Sequence, residues 1–165
     1  MDRTEQMDRT ERTELRESAE GMCPARASRA FALSDRESLI SRLESVGRIP
    51  DFEYLRAPQK GLIMVRGRAG GAGRLFNLCE ALATRCSVRV NRRCGHAYVL
   101  GDDPAKALAA ALASALYLDP DYSGKMASVV LELEGELDRK RELARRKAME
   151  TKVEFFTLAR GEDDD

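Results

Sequence analysis

Apolar side chains recur along this chain with two different spacings, and each change of spacing marks a new element. Residues 25–33, ARASRAFAL, predict a short helix. In the next segment Leu39, Ile40, Leu43 and Val46 recur three and four apart, which is one face of a helix. That helix is expected to start at SDRE, with Ser34 as N-cap and Glu37 three residues on. This is a capping box, in which each side chain satisfies the other residue's free N–H. Gly47 supplies a C-terminal cap.

Between residues 51 and 101 the period shortens to two. DFEYLRA (51–57) and GLIMVRGR (61–68) are strand-like and separated by PQK, which predicts a hairpin. AGGAG (69–73) is a breaker cluster. In LATRCSVRV (82–90), Leu82, Thr84, Cys86, Val88 and Val90 face one way; Ala83, Arg85, Ser87 and Arg89 face the other. HAYVLG (96–101) follows the turn NRRCG as a fourth strand. Short connections favour antiparallel neighbours, so a four-stranded meander is expected.

Helical spacing returns after GDDP (101–104), with Asp103 as N-cap and Pro104 at the first helical position. Leu108, Ala111, Leu112, Ala115 and Leu116 form the packing stripe of this alanine-rich helix, and Asp119-Pro120 stops it. A run of some thirty residues from Asp121 to Lys152 predicts a helix roughly 45 Å long. Its acidic residues come early and Arg145, Arg146 and Lys147 late, which suits the helix dipole. Glu136–Lys140 and Glu142–Arg146 are stabilising pairs four apart. Met126, Val129, Val130, Leu133 and Leu137 form a stripe that thins beyond Leu137, so the second half is expected to leave the domain body. The fold class is α+β: a four-stranded antiparallel sheet flanked by helices, with a long C-terminal helix and an extended C-terminal docking segment.

Composition narrows the function classes. Hydrophobic residues are 43% of the 165 and aromatics only 5%, so the core must be built from Leu, Ala and Val. Formal net charge is zero, without the basic surplus of a protein that coats nucleic acid. No apolar run approaches the ~20 residues of a membrane helix, and MDRTEQMDRTERTE has no apolar signal region. The cytoplasm is the default location, where four cysteines stay reduced. Residues 1–24 hold a tandem hexamer and read as a disordered extension, with Met7 and Met22 as alternative starts. Residues 25–162 form a single domain, and 163–165 an acidic tail.

Candidate chemistry is sparse. GRAGGAG (67–73) lacks the Lys-Ser/Thr and the spacing of phosphate loops, so a strand connection is the better reading. Cys86, Cys94 and His96 match no common zinc spacing, and the cysteines read as small buried hydrophobes. A Cys–His nucleophile requires Cys79 or Cys86 beside His96; a polar strand-end histidine is the plainer account. Arg66, Arg68, Arg85 and Arg89 alternate on two strands and could line one face with four guanidiniums suited to phosphate or carboxylate. An ordinary solvated face is the alternative. Glu80, in FNLCEALATR, reads as an ion-pair partner or a site residue.

With the pieces placed, the chain resembles the PhnG family of the carbon–phosphorus lyase system. The resemblance runs through FNLCEALATRCSVRV, GHAYVLGDDPAKALAAALASAL and KVEFFTLARG, with V-[DE]-F-F-T-x-x-R-G as its most specific piece. Cys79, Leu82 and the basic turn NRRCG depart from the family pattern. The resemblance implies a hetero-oligomeric core with PhnI, PhnH and PhnJ, and transient PhnL- or PhnK-like ATPase subunits. It implies that an alkylphosphonate displaces adenine from ATP to give α-D-ribose 1-methylphosphonate 5-triphosphate, later cut by the radical enzyme PhnJ. ATP and alkylphosphonate are then substrates of the complex, with no cofactor in this chain and the nucleosidase chemistry assigned to PhnI. Glu80, Arg85 and His96 remain the candidate catalytic residues here. Val153, Phe155, Phe156, Leu158 and Arg160 are the expected partner-docking residues.

Overall fold

A computed structural model describes residues 23–70 and 72–152. The elements follow in the order α1 (Pro24–Leu33), α2 (Arg36–Val46), β1 (Phe52–Arg68), β2 (Leu75–Val90), β3 (Arg93–Leu100), α3 (Pro104–Tyr117) and α4 (Ser123–Glu150). The three strands make one antiparallel sheet in the order β1-β2-β3. The α+β class and the long last helix are as expected, but among the described residues the sheet has three strands, not four.

The expected hairpin across PQK is one unbroken strand of 17 residues. Pro58 does not turn the chain because it lies where the β1–β2 register shifts, between Arg56 and Gln59. An edge strand can carry Pro at such an irregularity, since no ladder N–H is needed there. β2 also starts earlier than expected, at Leu75, so Glu80 lies well inside a strand.

The capping box is absent. Ser34 closes α1: its N–H bonds Ala30 O and its Oγ donates to Phe31 O at 3.0 Å. Asp35 then becomes the N-cap of α2, with no side-chain cap bond, and Glu37 pairs with Arg36 at 2.8 Å. Two helices separated by so short a link compete for one serine, and the first one takes it. The cap of α3 does form, with Asp103 Oδ1 accepting from Lys106 N at 3.0 Å.

α3 is buried almost all round, as its apolar composition requires. One side lies on β2 and β3, and α1, α2 and α4 close the others. The core beneath is made of Phe31, Leu39, Val88, Val90, Val99, Leu116, Met126, Val130 and Leu133, all fully buried. Of the alternation expected over 82–90, residues 84–90 obey it, with Thr84, Cys86, Val88 and Val90 buried and Arg85 and Arg89 exposed, but Leu82 is exposed and Ala83 buried, because no helix lies under Leu82.

α4 packs on the other helices rather than on the sheet. Met126, Val129, Val130 and Leu133 are buried, Leu137 is half-buried, and Asp138 to Glu150 are exposed apart from a partly covered Glu142. The helix therefore leaves the body after Leu137, as the thinning stripe predicted. Its acidic first half is tied to the N-terminal helices. Arg26 bonds Glu134 through two N–H···O contacts of 2.7 and 2.6 Å. Arg42 bonds Glu132 at 3.0 Å and also reaches Glu136, which accepts from Ser38 Oγ at 2.7 Å. Lys140 pairs with Asp35. The expected Glu136–Lys140 pair is thus replaced by contacts across helices, because tertiary partners lie within reach of both. Glu142 does hold Arg146, at 3.0 Å, and Arg145 as well.

A protruding β arm and the candidate site residues

β3 pairs with β2 only between Ala83 and Val90. From Leu82 back to Leu75, β2 has β1 as its one neighbour among the described residues. Thr84 sets this limit. Its Oγ1 donates to Gly101 O at 2.7 Å and accepts from Asp103 N at 3.1 Å, while Gly101 N bonds Leu82 O at 2.9 Å. Gly101 adopts φ 89, a conformation that favours glycine, and sends the chain into α3. The third strand ends there, and the helix under it begins there and runs back the other way. Gly61–Arg68 and Leu75–Leu82 therefore continue as a two-stranded arm, about 26 Å long at the usual rise per residue.

The breaker cluster closes this arm. Gly73 N bonds Ala69 O at 2.9 Å, and Arg68 Nη1 donates to Gly73 O at 3.0 Å. GRAGGAG is thus a hairpin connection, the reading preferred over a phosphate loop.

Residues opposite each other across the ladder share a face. On the face toward the helices the arm places Leu62 opposite Leu82, Met64 opposite Glu80 and Arg68 opposite Leu75. On the other face are Ile63 opposite Ala81, Val65 opposite Cys79 and Gly67 opposite Phe76. The register shifts between Val65 and Arg66, which sets Leu78 in a bulge. Leu62 is 64% exposed and Leu78 60%; Ile63, Met64, Leu75, Phe76 and Leu82 are exposed too. Apolar side chains thus stand in water on both faces. A two-stranded ribbon is marginally stable alone, and a contiguous apolar surface marks a place of interaction. This arm was not recognised in the sequence, although LIMV (62–65) carries the signal: it is apolar at both parities, unlike 84–90.

At the root of the arm lies a hollow of about 160 Å³ lined by Gly61, Leu62, Ile63, Ala83, Arg85 and Tyr98. Gly61 and Ala83 are opposite one another, so the floor has almost no side chain. Arg85 and Tyr98, also opposite one another, stand at its edge.

The three candidate catalytic residues do not converge. Glu80 lies in the arm opposite Met64, on the helix-side face. Arg85 and His96 lie on the other face, as diagonal neighbours, since His96 is opposite Ser87. His96 Nδ1 is 2.9 Å from Ser87 Oγ. His96 sits in the middle of β3 rather than at a strand end. Cys86 is opposite Ala97, so it is buried on the face away from His96, and burial raises its thiol pKa. Cys79 is eight positions along β2 from Ser87, roughly 26 Å at strand rise. Neither can serve His96 as a nucleophile. Cys23, Cys79 and Cys94 are exposed, which corrects the expectation that the cysteines are small core residues; Cys86 alone is buried.

The four-arginine face is also overturned. Arg66 and Arg68 lie opposite Asn77 and Leu75 in the arm, whereas Arg85 and Arg89 lie opposite Gln59 and Glu53. Antiparallel pairing places equal alternation at opposite ends, and Arg89 bonds Glu53 at 3.2 Å. Among the described residues no group of three or more His, Cys, Asp or Glu could hold a metal ion. No helix among them is long and apolar enough to cross a membrane. Val153, Phe155, Phe156, Leu158 and Arg160 lie outside the described residues.

Charge is unevenly shared. Residues 51–100 carry nine Lys and Arg against Asp51, Glu53 and Glu80, in a chain whose total is zero. In the arm and its turn, Arg66, Arg68 and Arg74 face the single acid Glu80.

Comparison with known proteins gives a match to the family described as phosphonate metabolism protein PhnG over residues 25–161. The alpha-D-ribose 1-methylphosphonate 5-triphosphate synthase subunit PhnG of Rhizobium meliloti (strain 1021) is 40% identical over 118 residues. The aligned part covers 69% of this chain and 74% of that relative.

Proposed function

The chain belongs to the PhnG family of phosphonate metabolism proteins, and from that membership we propose that it is an organising subunit of the complex that makes α-D-ribose 1-methylphosphonate 5-triphosphate. In this reading the complex uses ATP and an alkylphosphonate. A phosphonate oxygen takes the anomeric carbon of the ribose as adenine leaves, so one C–N bond breaks and one C–O bond forms. PhnI, PhnH and PhnJ homologues are its core partners, and PhnL- or PhnK-like ATPase subunits join transiently. The chemistry belongs to a partner. This chain contributes scaffold, with Val153, Phe155, Phe156, Leu158 and Arg160 as a docking segment on another subunit.

The observation that carries the reading is the arm. Apolar side chains exposed on both faces are costly for a free-standing enzyme and expected of a chain that works inside an assembly. Glu80, Arg85 and His96, split between two faces, supply no converging acid, base and nucleophile. The test is coexpression of the full chain with a tagged PhnI homologue, followed by pull-down and an assay for adenine release. Stoichiometric recovery with the partner, and no adenine release by this chain alone, are expected. A monodisperse monomer that ignores the PhnI homologue would sink the proposal.

A further inference from the structure

We propose that the β1–β2 arm inserts into a cleft of a different subunit, with apolar walls on two sides and carboxylates around its rim. The inference rests on the reading of this chain as a complex subunit, and adds which surface docks and what chemistry receives it.

The two-faced exposure decides the shape of the receiver. Leu62, Met64 and Leu82 lie on one face; Ile63, Val65 and Phe76 lie on the other. A flat surface covers a single face and leaves the other in water, and one added strand pairs with the edge and covers neither. The segment VEFFTL (153–158) of this same chain, added as one strand, would have the same shortcoming. A cleft covers both. Each face measures about 26 by 10 Å, so two faces offer on the order of 500 Å². A standard interface takes roughly 800 Å² from each partner, so the arm accounts for most of one footprint.

Charge decides the rim. Arg66, Arg68 and Arg74 lie toward the tip, past the pairs Leu62–Leu82 and Ile63–Ala81, where an arm laid along an open-ended cleft meets its rim, with Glu80 the one acid in the arm. A second copy's arm would bring the same three cations against these, which like-charge repulsion opposes. Carboxylates complement them. The hollow at the root selects for the same pairing. Its ~160 Å³ is below the several hundred of a small-molecule pocket, and suits one apolar side chain. The Arg85 fork at its edge can take a carboxylate beside that anchor. Among the described residues β1 is also an edge strand throughout, with backbone groups available to a partner strand.

The experiment places the photo-crosslinking residue p-benzoylphenylalanine at Ile63 or at Met64. These neighbours lie on opposite faces, in the full chain coexpressed with the other subunits. Both positions are expected to link to one partner polypeptide, through two different peptides of it. Links from one face only, links to residues 153–165 of this chain, or links to another copy's arm each overturn the proposal. A second measurement tests the rim. Arg66→Glu/Arg68→Glu/Arg74→Glu should cut the recovered partner at least tenfold at low salt, and recovery unchanged by the reversal removes the acidic rim. An assembled complex in which neither position links defeats the arm and leaves the subunit reading standing. A chain that recovers no partner at all defeats both.

Discussion

Gly95 of β3 lies directly against the backbone of Ala111 and Ala115 in α3. A Cβ at Gly95 would overlap the Ala111 carbonyl oxygen and meet Ala115 N at 2.6 Å and Ala115 Cβ at 2.9 Å. The alanines of α3 and this glycine therefore act together. Small residues on both elements let helix and edge strand approach at backbone distance, which places α3 in the centre of the fold. The obstruction is backbone, not a flexible side-chain end, so the helix as a whole would have to move.

Gly95→Ala should accordingly destabilise by about 1–3 kcal/mol, the range for overpacking. Gly61→Ala is its control: no heavy atom lies within 4 Å of the added Cβ. That variant should stay within about 1 kcal/mol of the parent, with part of any gain arising in the unfolded chain. Urea unfolding followed by circular dichroism distinguishes them. Equal midpoints for the two variants would refute the close approach.

Which parts of this architecture were legible depends on whether local signals had competitors. The Asp103-Pro104 start of α3 formed as read, since nothing else claims that aspartate. The Ser34 cap failed because α1 ends at Leu33, two residues before Asp35, and uses the serine between them first. PQK separates two strand-like segments and so predicts a short turn, yet an edge strand with a bulge accommodates its Pro. Edge position is a tertiary property that no window of sequence contains. The same holds for the candidate site. Alternation placed Arg85 and Arg89 on one face correctly, but the register that separates them from Arg66 and Arg68 depends on where the hairpin turns. Once PQK ceased to be the turn, the four-arginine face dissolved.

Thr84 is a buried residue whose hydroxyl joins the end of β3 to the start of α3. Thr84→Val keeps the shape and removes both bonds. Gly101 O and Asp103 N then lose their side-chain partner, at a cost of about 1–3 kcal/mol. Thr84→Ser keeps the hydroxyl and should recover most of that stability. Thermal melts of the pair check it; a valine variant as stable as the parent would show that the hydroxyl contributes nothing.

Glu136 carries a pH dependence with a defined sign. The hydrogen bond from Ser38, and then the bond and charge of Arg42, hold its carboxyl below the ordinary value of 4.5. Protonation is therefore harder in the folded chain than in the unfolded one. The contribution is complete above about pH 4.5 and is lost as pH falls through the lower folded value. Glu136→Gln should be less stable at pH 7 and should show a shallower loss between pH 5 and 3. Denaturant midpoints measured at each pH test this. Parallel acid limbs in parent and variant would mean that Glu136 gains nothing from Ser38 and Arg42.

Phe155 and Phe156 follow a helix whose exposed second half has already left the body. Among the described residues Phe31, Leu39, Leu116, Met126 and Leu133 are fully buried. Burying one Phe contributes on the order of 1.5–3 kcal/mol. Phe155→Ala with Phe156→Ala should then cost an interface roughly 3–6 kcal/mol, about 10² to 10⁴ in affinity. The melting midpoint of the chain should stay within a few degrees of the parent, while recovery of a PhnI homologue in pull-down collapses. The opposite pattern, a large fall in melting temperature with assembly intact, would assign the two rings to this chain's own sheet. The arm gives an independent reference, because Leu62→Ala and Leu78→Ala remove exposed side chains of the other proposed contact. If tail and arm act on one assembly, both pairs of variants weaken it, and each leaves the folded core standing.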